Sequence, residues 1–520
     1  MQESIFDVLY PKYKITKPIR LIEFFAGYGS QALALKYLGV PFEHWKICEW
    51  AVKSIQAYKD IHFSKGGWEY VCVDIPDYDY EEYLFKKGIS QNYNEPMTLE
   101  QIKRLGKEKQ KEIIANIQIT NNLVNIQQVK GEDLEIVDTD KYDYIMTYSF
   151  PCQDLSLAGK GKGMSDTTTR SGMLWEVERI LTECYELGNM PQILLMENVP
   201  QVHGADNVQD FNKWQFKLEE LGYKNYFQDL IATDYGIPQT RNRCFMISIL
   251  GDYSYTFPKP ITLEKKLKDI LEDNVDEKYY LSDKQIKDVQ SWNAYEKPLE
   301  NMEKVDKTNI SPTLTTRSGA YAAGMILIKN ATKKGYLEAT DGDGVDISSR
   351  MEHHRGNVQK DKIQTLTTSG GNDRGVVIET YQYAKSDIFM QGKDRLQFGK
   401  EVSDTLQTTQ KEGVVINCVG GIGNKCNNDT QYHQQNRIYE GNASIAITTC
   451  CNPYYKNDLR IRKLTPKECF RLMGVKDEDF ENCAKNQSDA SLYHLAGDSI
   501  VVNVLMAIFN ELLKKGGEIE

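Results

Sequence analysis

A chain of 520 residues is longer than one hydrophobic core usually supports, so two structural domains are expected. Its 40% apolar and 26% charged residues are those of a globular protein, and no run approaches the roughly 20 apolar residues needed to cross a bilayer, so no membrane protein is expected. The net charge of −11 argues against a uniformly basic nucleic-acid-binding surface and leaves room for a locally basic cleft.

The opening Met1-Gln-Glu-Ser-Ile-Phe-Asp7 has neither the basic segment nor the apolar run of a secretory signal, which makes the cytoplasm the expected location and disulfides unexpected. The 11 cysteines include no C-x-x-C pair, and Cys450-Cys451 has no second pair at ligand spacing, so no metal is expected.

From about Ile19 to Leu250 short apolar runs alternate with helix-like segments, the pattern of repeated βα units and a mostly parallel sheet. The predicted strands are Arg20–Phe25, Trp45–Glu49, Tyr70–Ile75, Tyr142–Phe150, Gln192–Glu197, Phe227–Thr233 and Cys244–Leu250. Ligands of such sheets bind beyond the carboxyl ends of the strands, so Glu23–Gly29, Glu49, Asp74, Pro151-Cys152 and Glu197 are expected to face one crevice. The polar segment at about 77–140 reads as an insertion, and its charged run Lys103–Lys111 as a solvated helix face or, alternatively, a contact to a DNA backbone or partner.

From about Asp252 to Asp458 the texture turns to Thr, Gly, Asn and short β-branched runs. A unit recurs there: Thr313-Leu-Thr-Thr316, Thr365-Leu-Thr-Thr368, Thr405-Leu-Gln-Thr408 and, more loosely, Ala446-Ile-Thr-Thr449. The first three precede the Gly-led runs Gly324–Ile328, Gly375–Ile378 and Gly413–Ile416. This is a β-rich domain with internal duplication, for which β scaffolding is the simplest reading. Helical texture returns at Leu464–Met473 and Val501–Leu513. The expected organisation is a catalytic domain at 1–251, a β-rich domain at 252–458 and a segment at 459–520 that rejoins the first domain.

Leu21–Ser30 is a strand, a Gly-bearing turn and the start of a helix, which lets a ligand approach the backbone closely. Glu49 ends the next strand, where a carboxylate can accept both ribose hydroxyls, and Asp74 ends the third, within reach of an adenine amino group. Cys152 follows the fourth strand beside Pro151, and Gly159-Lys-Gly-Lys-Gly163 after it reads as a mobile basic loop. Glu197 is a carboxylate on the otherwise apolar Ile193-Leu-Leu-Met196 strand, costly to bury without a task. Arg241 and Arg243, two apart at the entry to a strand, point to one face and suit a phosphate and a polar base edge.

In their order along the chain, Phe25-Ala-Gly-Tyr-Gly29, Glu49-Trp50, Asp74-Ile75, Phe150-Pro-Cys-Gln153, Arg170-Ser-Gly172, Glu197-Asn-Val199, Asp234-Tyr-Gly-Ile-Pro-Gln239 with Arg241 and Arg243, Arg462–Gly474 and Gly497-Asp-Ser-Ile-Val-Val502 resemble the cytosine-5 DNA methyltransferase family of bacteria and phages. The resemblance covers nearly all of 20–250 and about 460–510. It implies a Rossmann-like, S-adenosylmethionine-dependent α/β fold, a mostly parallel sheet with helices on both faces, with the β-rich region as target-recognition domain. It also implies S-adenosylmethionine without a metal, double-stranded DNA as partner, monomeric action and a restriction-modification setting.

The implied catalytic set is Cys152, Glu197, Arg241 and Arg243. The implied cofactor-binding set is Phe25, Ala26, Gly27, Gly29, Glu49, Trp50, Asp74, Ile75, Phe150, Asp498 and Ser499. In that scheme the Cys152 thiolate adds to carbon-6 of a flipped-out cytosine, and carbon-5 takes the methyl group. Glu197, protonated or sharing a proton, holds ring N3; Arg243 polarises the base O2; Arg241 anchors a phosphate or a loop; and 159–170 is the lid. Ser30 and Asp498 depart from the family pattern, which has glycine and asparagine there. The rival readings are an RNA cytosine methyltransferase, against which the large β-rich region speaks, and a catalytically silent DNA-binding regulator, which would need none of Cys152, Glu197 and Arg243 together.

Overall fold

The computed structural model describes residues 10–64, 75–150, 171–280 and 458–513, with short stretches between 326 and 455. The chain divides into two units, Met1–Val275 with Asp361–Gly375 and Leu464–Glu520, and Asp276–Lys360 with Val376–Lys463. Residues 252–275 and 361–375 thus lie in the first unit. Backbone pairing explains the second of these, because Ile363 donates to Pro238 O at 3.0 Å and Ile363 O accepts from Thr240 N at 3.0 Å.

The strands of the first unit are β1 (Ile19–Phe24), β2 (Phe42–Cys48), β3 (Asp143–Tyr148), β4 (Ile193–Asn198), β5 (Tyr223–Ile231) and β6 (Asn242–Leu250). They form one sheet in the order β2-β1-β3-β4-β6-β5. Pairing is parallel from β2 to β4, and β6 runs antiparallel to both of its neighbours. The described helices of this unit are α1 (Ser30–Leu38), α2 (Val52–His62), α3 (Tyr80–Lys87), α4 (Leu99–Arg104), α5 (Lys107–Ile119), α6 (Leu174–Glu186), α7 (Val208–Glu220), α8 (Pro466–Arg471), α9 (Asp477–Ala484), α10 (Asp489–Asp498) and α11 (Val502–Leu512).

Both faces of the sheet are covered, and β1, β3 and β4 are buried throughout, the polar Arg20, Glu23, Asp143, Thr147, Glu197 and Asn198 included. On one face Ile22, Phe24, Met146, Leu194 and Met196 pack with α6, which presents Leu174, Val177, Ile180 and Leu181 at helical spacing. On the other, Glu23 of β1 meets α1 and α2 through Ala32 N and the Tyr58 hydroxyl.

The insertion has its own apolar cluster, in which Tyr80, Leu84, Ile102, Ile113, Ile114 and Ile117 pack against Ile55 of α2. Its basic run stays at the surface, with Lys107 Nζ 3.0 Å from Glu81 and Lys109 Nζ 2.8 Å from Glu112. The chain then returns along the outer side of β2: Leu123 N donates to Ile47 O at 2.8 Å, and Ile47 bridges Asn122 in parallel.

Asp489–Leu512 has the length and apolarity of a membrane span by composition, contrary to the expectation that no stretch does. It is two helices separated at 499–501, and 67% of its apolar window is buried in the fold. The apolarity comes from packing: α11 buries Val502, Val504, Leu505, Ile508, Phe509 and Leu512.

Among the described residues of the second unit every element is a strand, apart from the 3-10 turn Glu277–Tyr279. Two of the Gly-led runs form strands, Ile326–Lys329 and Val376–Tyr381. Of the recurring Thr-Leu-Thr-Thr units only Thr365 is among the described residues, and its hydroxyl donates to Thr240 O at 3.5 Å in the first unit.

Candidate active site

The turn after β1 is built by backbone that side chains rarely adopt. Phe25 has φ 56° and Gly29, the residue before α1, has φ 81°. A Cβ at Gly29 would stand 2.4 Å from His62 Nε2 and 2.6 Å from the Tyr58 ring, so glycine alone fits. Beneath the turn, Glu23 is fully buried, accepts from the Tyr58 hydroxyl at 2.5 Å and from Ala32 N at 3.3 Å, and is pushed up to about 7 by burial. Expected to face the crevice, Glu23 instead supports it from below.

A cavity of about 370 Å³ opens at the carboxyl ends of the strands. Of the expected cofactor residues, Phe25, Ala26, Gly27, Glu49, Trp50, Phe150, Asp498 and Ser499 line it. The Glu49 carboxyl accepts from Gly27 N at 3.0 Å and from Ala51 N at 2.8 Å, which ties the first turn to the second strand. Burial, helped by the neighbouring Asp498 charge, raises it to about 7.

The third position differs from expectation. Ile75 packs against the apolar cluster of the insertion and does not line the cavity, and Asp74 lies outside the described residues. The stretch beside β2 is instead 121–124, and Val124, Asn125, Ile126 and Gln127 line the cavity. Asn122 clamps the join, accepting from Glu49 N at 3.1 Å and donating to Glu49 O at 2.9 Å. The sequence signal was Leu123-Val-Asn-Ile126, a short apolar run hidden by its position at the end of a polar insertion.

At the end of β4, Glu197 is 4% exposed. Ser149 Oγ donates to its Oε2 at 2.5 Å and Arg243 Nε stands 3.1 Å from its Oε1. Asn198 Nδ2 donates to Phe150 O at 3.0 Å, holding the strand that leads to Pro151-Cys152. Cys152 itself lies outside the described residues, as do the 159–163 loop and Arg170. Glu197, Asn198, Ser149, Phe150 and Arg243 all line the same cavity as Glu49.

The two arginines part company. Arg241 is 3% exposed and donates through Nη1 to Gly497 O at 3.1 Å and through Nη2 to Ser499 O at 2.7 Å. Nη1 and Nη2 thus hold the carbonyls flanking Asp498, and Arg241 lines the cavity together with Arg243. Arg243 alone reaches the Glu197 carboxylate.

Tyr93, Asn125 and His494 also line the cavity and were not expected from sequence. Elsewhere, His203, Asp229 and Cys244 bring potential ligand atoms within 4.8 Å of one another. A His203–Asp229 contact at 2.9 Å accounts for two of them, and burial holds the Cys244 thiol well above its ordinary range, which opposes thiolate ligation.

A mostly parallel α/β sheet, a Gly turn after its first strand and an acidic end to its second make up the arrangement in which sheets of this class hold nucleoside-bearing ligands. The sequence matches the family described as C-5 cytosine-specific DNA methylase over residues 100–514. The orphan methyltransferase M.SssI of Spiroplasma monobiae is 37% identical over 410 residues, covering 77% of this chain and 93% of that protein. The type II methyltransferase M2.ScrFI of Lactococcus lactis subsp. cremoris is 37% identical over 273 residues, 52% of this chain and 72% of its own length. The orphan methyltransferase M.SPRI of Bacillus phage SPR is 26% identical over 433 residues, 74% of this chain and 87% of its own. The chain belongs to the C-5 cytosine-specific DNA methylase family and is a DNA (cytosine-5-)-methyltransferase.

Proposed function

We propose that the chain transfers a methyl group from S-adenosylmethionine to carbon-5 of a cytosine flipped out of duplex DNA, through a covalent adduct at Cys152. The observation that carries this reading is Glu197, held by Ser149 and Arg243 in the same cavity where Glu49 closes the Gly turn. A cavity of about 370 Å³ suits a ligand of nucleoside-plus-amino-acid size. Glu49 keeps lone pairs for ribose hydroxyls, Trp50 and Ile126 offer apolar walls for a base, and Asn125 has an amide to meet a base edge. The bound donor supplies an electrophilic methyl group.

The chain's own residues do the rest. Glu197 takes up a proton from solvent and passes it to ring N3 as the Cys152 thiolate bonds to carbon-6, leaving carbon-5 with enamine character. After methylation, solvent takes the carbon-5 proton, the thiolate leaves carbon-6 and the N3 proton returns to Glu197, which restores the aromatic ring. Arg243 fixes Glu197 in place, and its remaining N–H groups are available to the base O2. No metal takes part, the enzyme acts as a cytoplasmic monomer, and the β-rich unit selects the target sequence.

Transfer of labelled methyl from S-adenosylmethionine to duplex DNA and, separately, to tRNA tests this in the full chain and in Cys152→Ala. Label in DNA alone, lost in the variant, is the expected result. Label in DNA that persists in Cys152→Ala would overturn the covalent route.

A further inference from the structure

A carboxyl group that must gain and give a proton needs a path for it, and Glu197 is 4% exposed with both of its oxygens engaged. Oε2 accepts from Ser149 Oγ at 2.5 Å, and Oε1 faces Arg243 Nε at 3.1 Å. The β3–β4 ladder sets the first of these contacts: Tyr148 pairs with Met196, so Ser149 and Glu197 are the next residues on adjacent parallel strands. The Asn198 Nδ2 bond to Phe150 O at 3.0 Å holds the chain just beyond them.

The two partners differ in what they can do with a proton. A guanidinium stays charged, carries donors only and has no acceptor, so Arg243 can hold the carboxylate but cannot deliver a proton to it. Its Nη1 is also engaged, donating to Asn242 O at 2.8 Å. A hydroxyl donates and accepts at once. Ser149 is half-buried where Glu197 is buried, and it lines the same cavity. Two residues back, Thr147 Oγ1 is fully buried and has no hydrogen-bond partner among the described residues, so no chain of hydroxyls leads from Ser149 back along β3. The exchange path from Ser149 opens to the cavity.

We infer that Ser149 is the positioning residue through which Glu197 exchanges its proton with solvent. The inference rests on the proton-transfer role proposed for Glu197. A solvent proton bonds to Ser149 Oγ while the hydroxyl proton leaves Oγ and bonds to Glu197 Oε2, so the hydroxyl stays neutral and the carboxylate becomes a carboxylic acid. Turned about its C–O bond, that acid gives the proton to ring N3 as Cys152 adds to carbon-6. After methylation the N3 proton returns to Oε2 and leaves by the reverse transfer. Arg243 keeps Oε1 fixed throughout, so the carboxyl changes its protonation without changing its place.

The test is the single-turnover rate of methyl transfer by the full chain at saturating duplex DNA and S-adenosylmethionine, measured in mixtures of light and heavy water. Protons moving together through Ser149 and Glu197 make the wild-type rate bow below a straight line as the deuterium fraction rises. Ser149→Ala is expected to give a straight line and a rate roughly ten- to hundredfold lower. Ser149→Thr, which keeps a hydroxyl, recovers the bowed line and a rate within about fivefold of wild type. Both variants bind DNA and S-adenosylhomocysteine within about twofold of wild type, which shows them to be folded. A rate that falls in Ser149→Ala while its line stays bowed would mean that the hydroxyl only props Glu197. That result, an unchanged rate in Ser149→Ala or a straight line in the wild type overturns this inference alone. A wild-type chain that transfers no methyl to DNA overturns the proposed mechanism and the inference together.

Discussion

Arg243, on the antiparallel strand β6, places its Nε 3.1 Å from Oε1 of Glu197 on the adjacent β4. The two side chains form one unit, because a buried carboxylate without its cation is strongly destabilised. Glu197→Gln and Arg243→Ala are each expected to lower methyl transfer by roughly 10²- to 10³-fold, with the double variant no worse than the weaker single one. Single-turnover rates on duplex DNA measure this. Independent, multiplying losses would mean that the pair does not act together.

Duplex DNA with 5-fluorocytosine at the target position should trap the wild-type chain. The fluorine cannot leave carbon-5 as a proton does, so the bond to Cys152 persists and denaturing electrophoresis resolves the adduct. Cys152→Ala should form none and lose roughly 10⁴-fold or more in transfer. An adduct in the variant would place the nucleophile elsewhere.

Donor affinity should depend on pH through Glu49. Its carboxyl, raised to about 7 by burial, must be ionised to accept two ribose hydroxyls. Binding of S-adenosylhomocysteine is therefore expected to be level above about pH 8 and to weaken as pH falls through 7, by up to about tenfold per unit. Glu49→Gln should bind more weakly and lose that slope, and titration across this range decides it.

Arg241 is expected to matter for stability more than for chemistry. Arg241→Ala leaves the carbonyls of Gly497 and Ser499 without donors, at a cost of about 3 kcal/mol. Denaturant unfolding should show that loss. Titration with S-adenosylhomocysteine should show weaker binding, because Asp498 lies between the two freed carbonyls.

Glu23 makes a separate pH prediction. Its folded value of about 7 lies above the ordinary 4.5, so the folded chain keeps a proton that the unfolded chain releases. The contribution to stability is complete below pH 4.5 and is lost as pH rises through 7. Relative to wild type, Glu23→Gln should gain up to about 3 kcal/mol between those limits, measured by denaturant unfolding at pH 4.5 and pH 8.

The alternation of apolar runs and helical segments was enough to place four of the seven expected strands, β1, β3, β4 and β6, close to their observed ranges, because a strand buried on both faces is mainly apolar; of the expected strand Tyr70–Ile75 all but Ile75 lies outside the described residues. Glu49 and Glu197 were legible for the converse reason: a carboxylate at the end of such a strand is costly and stands out. The ends of β2 and β5 were less legible. Phe42–His44 and Tyr223–Tyr226 carry polar, partly exposed positions that blur the alternation.

What the sequence determined by itself was the local chemistry: a Gly turn after one strand, acids at two strand ends, and Pro151-Cys152 after a third. Tertiary structure decided which distant segments complete the cavity. It brought 121–127 to the edge of β2, sent Arg241 to the 497–499 loop and Arg243 to Glu197, and laid Tyr93 on His494. Periodicity reports which face of an element is buried, but not which partner buries it; that choice belongs to packing between residues up to about 400 positions apart.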